Sequence, residues 1–240
     1  MSRIGWLVTV SAAAILVWVN SPDLPWPSRS WVTGLLAVLP ALMIVQAQQL
    51  RELDSVPRSA AYISSVVSLW ILAGLTLLMS HLSGFPSSAL GLAPMPPPQL
   101  VLWTVALTGA GIGVLFGFRL AGFREAPLLK QLLPSTANER ALFVGVSVTA
   151  GICEEIVFRG FLIHALLLAT GSLPLTVLLS SGVFGIVHAY QQPIGALRAA
   201  LLGALLALPL LLHGSIYPAI LAHILIDVLS GLWLARYLLR

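Results

Sequence analysis

A concentrated set of ionisable side chains falls inside long apolar stretches of this sequence: Glu154, Glu155 and Arg159 in one, His188 in a second, His223 and Asp227 in a third. On insertion scales each such group costs about 2.5 to 3.5 kcal/mol at mid-bilayer depth, so it persists with a partner or a function. Glu155 and Arg159 stand four residues apart, as do His223 and Asp227, and that interval places two side chains on one face of a helix. Arg159 can therefore neutralise and orient Glu155, which leaves Glu154 without a local partner. Phe184 precedes His188 by one turn. Carboxylates and imidazoles share proton-transfer chemistry, and a carboxylate in a desolvated cavity holds a proton more readily than one in water, as a base acting near neutral pH must. Glu154, His188, His223 and Asp227 together are also a donor set for a divalent metal such as Zn2+, with an open position for water.

Other polar residues read as packing. Arg159 is an orienting group, because a guanidinium stays protonated and cannot serve as an acid or base. His164 falls nearly opposite Glu155 on the helix wheel, and His81 and His213 fall in loops. Cys153 adjoins Glu154, but a thiol in apolar surroundings yields little thiolate. Intramembrane Glu–Arg and His–Asp pairs also serve as plain interhelical fasteners, worth about 0.6 kcal/mol per hydrogen bond on average.

These groups meet only if helices bring them together. The chain has 240 residues, 58% hydrophobic and 8% charged, against roughly 25% charge in a globular domain. That composition, with a mean hydropathy of +0.99, excludes a water-soluble fold. The formal charge of +4 is scattered between apolar stretches rather than gathered in a patch, so nucleic acid is not the expected partner. One cysteine excludes an intramolecular disulfide. A span needs about 20 apolar residues, and eight candidates follow: 4–19, 31–45, 60–79, 100–118, 140–169, 173–190, 194–212 and 216–239.

The expected fold is all-α, a polytopic transmembrane bundle of about eight spans. Residues 1–118 hold spans one to four, 119–139 a basic connector, and 140–240 a C-terminal four-helix catalytic core. The first span reads as a signal anchor, since no small-residue cleavage site follows it. Gly109, Gly113 and Gly117 form a small face that admits a neighbouring helix, and Gly91 to Pro98 reads as a stiff polyproline connector. Arg3, Arg51, Arg58, Arg119, Arg124, Lys130, Arg140, Arg236 and Arg240 fall on one side and Arg29 on the other. This bias places both termini in the cytoplasm, in a cell (inner) membrane. Arg198 sits near the inner end of span seven, and the segment 123–134 is expected along the cytoplasmic surface. Measured from Arg140, Glu154 lies about 21 Å along its span, in the outer half of the bilayer.

In order, Glu154-Glu155-x-x-x-Arg159, Phe184-x-x-x-His188 and His223-x-x-x-Asp227 resemble the motifs of the CPBP intramembrane protease family, which comprises type II CAAX prenyl endopeptidases and bacterial Abi proteins. The resemblance covers roughly residues 140–240. It implies an endopeptidase cutting a membrane-associated or lipid-modified peptide, in which Glu154 and His188 activate water. It also implies that His223 and position 227 stabilise the oxyanion, with Glu155, Arg159 and Phe184 in support. The family carries Asn where this chain has Asp227. A protonated aspartate can donate to an oxyanion and an ionised one repels it; Asp227 can also orient His223 or help bind a cation.

The family is often labelled metalloprotease, yet no His-Glu-x-x-His helix is present, which favours a metal-free mechanism over zinc. Gly-x-Ser-x-Gly is absent too, and of three aspartates only Asp227 lies within a span. Two other classes fit the same residues: a non-catalytic scaffold or bacteriocin-immunity protein, and a proton-coupled transporter. The transporter would show a repeated half, and none is seen.

Overall fold

The computed structural model describes residues 15, 18, 19, 21–51 and 57–238. The first expected span, together with Arg3 and Arg240, lies almost wholly outside them.

Prolines open most of the helices, because a fixed φ near −65° and a missing N–H suit the first turn. α1 (Trp26–Leu50) starts at Pro25-Trp26-Pro27, α2 (Arg58–Leu82) follows Pro57, and α3 (Pro97–Leu120) starts within the Pro96–Pro98 run. A five-residue helix, α4 (Pro127–Gln131), follows. α5 (Ala137–Thr170) instead begins with a capping box in which Thr136 accepts from the Glu139 backbone N–H and Glu139 answers to the Thr136 N–H. α6 (Leu173–Val187), α7 (Ala189–His213) and α8 (Tyr217–Tyr237) complete the chain. Left-handed glycines, Gly171 at φ 61° and Gly214 at φ 67°, turn the chain between α5 and α6 and between α7 and α8.

Among the described residues the fold is all-α, and six helices (α1, α2, α3, α5, α7 and α8) are long and apolar enough to cross a membrane. The sixth expected span, 173–190, is the exception. Its helix has 15 residues, about 22 Å, too short for a hydrocarbon core of about 30 Å. It ends where His188 leaves helical geometry at φ −91°, ψ 18°. Hydropathy reads apolarity, and the residues beyond His188 remain apolar after the helix has stopped.

The long helices pack as a bundle in which α5 touches α2 and α8, α8 touches α3, and α6 lies against α7. A Cβ on Gly185 would fall 2.5 Å from the Ala196 carbonyl oxygen, which fixes the close approach of α6 and α7. Among the described residues nothing lies within 4 Å of a Cβ at Gly109, Gly113 or Gly117, the expected small face of α3, whereas Gly111, on another face, takes Ile226 of α8. Spacing in one helix identifies a smooth stripe, and the large side chains of its neighbour decide which stripe is filled.

The main apolar cluster gathers Leu35 of α1, Ala73 of α2, Val157, Phe158, Phe161 and Leu162 of α5, and Val183 of α6. It fills the half of the bundle formed by the start of α1 and the ends of α2 and α5. At that end the polyproline connector is pinned, with the Ile216 N–H donating to the Gly91 carbonyl at 2.9 Å. The connector between α3 and α5 folds inward rather than lying flat: Ala126 and Leu128 are buried, Tyr62 donates to the Leu132 carbonyl, and Arg58 donates to the Gln131 carbonyl at 2.6 Å.

Candidate active site

α5 supplies the acidic pair at a change of helical winding. Glu154 ends its α-helical part and Glu155–Leu162 runs as a π-helix, a form often found at functional sites because it re-aims side chains and leaves carbonyls short of partners. The Phe158 carbonyl takes its hydrogen bond from the Ser180 hydroxyl of α6 at 2.9 Å.

Glu155 is fully buried, and its Oε1 accepts from Arg159 Nη1 at 2.8 Å and lies 2.8 Å from His223 Nδ1. The i,i+4 pair expected from spacing therefore exists, and Glu155 also reaches across to α8. Arg159 lies 4.1 Å over the Phe184 ring, and Phe184 meets Phe158 edge-on with centroids 5.2 Å apart. Gly203 of α7 leaves room for this guanidinium, since a Cβ there would stand 3.2 Å from Arg159 Nη2.

Glu154 points the other way. Its Oε2 is buried without a hydrogen-bond partner and lies 4.0 Å from His188 Nε2 and 3.9 Å from His223 Nε2. Asp227 Oδ2 is 3.7 Å from the same His223 nitrogen. His188 Nδ1 sits 2.7 Å from the Phe184 carbonyl; a carbonyl only accepts, so Nδ1 carries a proton and Nε2 is turned toward Glu154. The structure thus brings together Glu154, Glu155, Arg159, Phe184, His188, His223 and Asp227.

Two atoms 3.9 to 4.0 Å apart can share one water at about 2.8 Å from each, subtending about 90°. Zinc needs more: ligands at about 2.0–2.1 Å stand about 3.3 Å apart in a tetrahedron. The observed donor separations are all longer, and among the described residues no three His, Cys, Asp or Glu side chains form a metal-holding group. The donor types suit zinc, but their placement does not.

The site lines a cavity of about 810 Å³ that runs between α1 and α2 toward Pro57, Leu129 and Leu133, and its walls include Met43, Ser65 and Leu72. Its lining extends to Leu129, Leu132 and Leu133, beside Lys130, at the end of the bundle where α2 begins.

Sequence reasoning missed part of this site. Arg198 is no topological loop cation: it is buried in α7, on the cavity wall, in a bidentate pair with Glu125. An arginine inside an apolar span was the available signal. Ser180 left none. Cys153 is fully buried in the apolar cluster and His164 packs edge-on against Phe85 with centroids 4.7 Å apart, both as expected for packing residues. His81 and His213 lie in the last turns of α2 and α7 rather than in loops, His213 against Trp103.

No curated protein and no solved structure matches this chain. Residues 136–229, from the cap of α5 into α8, match the family model of the type II CAAX prenyl endopeptidase Rce1-like proteins, a match that supports the resemblance to the CPBP intramembrane proteases over this part of the chain.

Proposed function

We propose that the protein is an intramembrane endopeptidase that hydrolyses a peptide bond of a membrane-associated or lipid-modified peptide, using water activated by Glu154 and His188. The observation that carries this reading is the unpartnered Glu154 Oε2, buried and a water's width from two imidazole nitrogens. Glu154 accepts a proton from that water, the water oxygen attacks the peptide carbonyl carbon, and the accepted proton passes through the Glu154–His188 pair to the leaving amine.

His223 takes a different part. Its Nδ1 meets Glu155, and its Nε2 faces carboxylate oxygens of Glu154 and Asp227. With a carboxylate facing each ring nitrogen, a proton on both is favoured, and an Nε2–H aimed into the cavity can donate to the carbonyl oxygen as it becomes an oxyanion. Asp227 holds that nitrogen in place. We assign no step to a metal, because the donors stand too far apart for zinc. The mostly apolar wall formed by α1, α2 and α4 suits a substrate with a hydrocarbon anchor.

The test is an internally quenched peptide bearing a farnesylated cysteine, presented with the purified chain in vesicles. Glu154→Ala and His188→Ala should each lower hydrolysis at least a hundredfold with unchanged melting, and a zinc chelator should leave the rate within twofold. Full activity in Glu154→Ala would end the reading; peptide binding without hydrolysis by the unaltered chain would favour a scaffold.

A further inference from the structure

His188 sits at a seam between two helices, with its side chain 16% exposed. α6 stops beneath it, a single 3₁₀ turn (Ala189–Gln191) follows, and α7 restarts at Gln192 with φ 67° and ψ 173°. That backbone region belongs almost only to glycine and costs a residue such as glutamine on the order of 1–3 kcal/mol, so it persists where surrounding contacts over-determine it. Gln192 is the only non-glycine with positive φ among the described residues. The turn packs against the second half of α1 and against the rest of α7.

A chain of side chains adds to those contacts. Glu125, on the connector before α4, grips both terminal nitrogens of Arg198, with Nη2 at 2.8 Å from Oε2. The same Nη2 donates to Gln191 Oε1 at 3.1 Å, and Gln191 Nε2 donates to the Tyr190 hydroxyl at 3.1 Å. The Tyr190 ring stands 5.9 Å from the His188 ring, and the Gln191 backbone N–H closes the turn on the His188 carbonyl at 2.9 Å. Arg198 is the only lysine or arginine among the cavity-lining residues, yet its fork is fully used by Glu125 and Gln191.

We infer that Glu125, Arg198 and Gln191 are positioning residues for the hydrolytic reaction, clamping the turn after α6 so that His188 Nε2 stays within a water's width of Glu154. This rests on the proposed role of Glu154 and His188. It ties the catalytic geometry to the connector: when 122–135 is docked, Arg198 is held and the turn is closed. Arginine is required because only a planar fork can satisfy the carboxylate with two parallel bonds and still reach the Gln191 amide.

The test uses the full chain in vesicles with the farnesylated quenched peptide. Arg198→Met and Gln191→Leu should each lower kcat about 10- to 100-fold, the loss expected when a reacting group is misplaced by about 1 Å, with KM within about threefold. The double exchange of Glu125→Arg with Arg198→Glu should recover kcat to within about fivefold of the unaltered chain, since the Gln191 amide can turn to donate. Unchanged kcat in Gln191→Leu, which leaves the ion pair intact, overturns the inference even if Arg198→Met unfolds. So does a rise in KM alone, which would make Arg198 a substrate contact, or failure of the exchange to restore kcat in a protein that melts normally. Activity retained in Glu154→Ala would instead remove the water-activation reading itself.

Discussion

Glu155 Oε1 serves two cations-in-waiting at once, Arg159 on its own helix and His223 on another. Burial of a carboxylate and a guanidinium is tolerated only while each has the other, and removal of one partner typically costs about 3–5 kcal/mol because the survivor keeps its desolvation penalty. Arg159→Ala should therefore lower the melting temperature markedly and abolish hydrolysis, whereas Glu154→Ala, which strands no buried partner, should only abolish hydrolysis; parallel melting curves and rates separate the two. Asp227 allows a second prediction at this scale. Asp227→Asn keeps a polar group beside His223 and adds an amide donor for the oxyanion, so hydrolysis should stay within about threefold, while Asp227→Ala should lose about tenfold. These residues were legible in the sequence because an i,i+4 interval fixes a shared helical face before anything else is known. Arg198 and Glu125 were not: they are 73 positions apart, and no local spacing links a connector carboxylate to an arginine in a later helix.

The elements do what side chains alone cannot, which is to bring groups from three helices to one cavity. α6 presents Phe184 and then stops, so that His188 hangs from a helix end instead of lying on a helix face. The strain at Gln192 should be measurable there. Gln192→Gly removes a side chain that the left-handed backbone disfavours and should melt at the same temperature or slightly higher, while a β-branched Gln192→Val should melt several degrees lower. An unchanged melt in Gln192→Val would show that the turn adopts another backbone. Helix order and apolarity were readable from hydropathy, and caps such as Thr136–Glu139 were present in the sequence. The stopping point of α6 was not, because Ala189 and Tyr190 carry the apolar pattern past it before Gln191 and Gln192 break it.

At the scale of the whole molecule the two halves of the bundle differ. One half holds most of the cavity; the other is filled by Leu35, Phe161, Leu162 and Val183, with polar groups such as Thr76 bonded locally, here to Trp31. Hydrolysis consumes one water per bond cut, so the cavity must stay supplied with water. The filled half then acts as an insulator. A membrane studded with this protein should be dimpled with wet wells yet remain electrically tight, and vesicles containing it should hold an imposed proton gradient as long as protein-free ones. A gradient that collapses on reconstitution and survives with Glu154→Ala would reveal a conducting path through the carboxylate. Thinning the plug, for example by Phe161→Ala, should turn a sealed well into a leak, so the residues that never touch substrate are the ones that let a cell keep a water-consuming enzyme in its insulating layer.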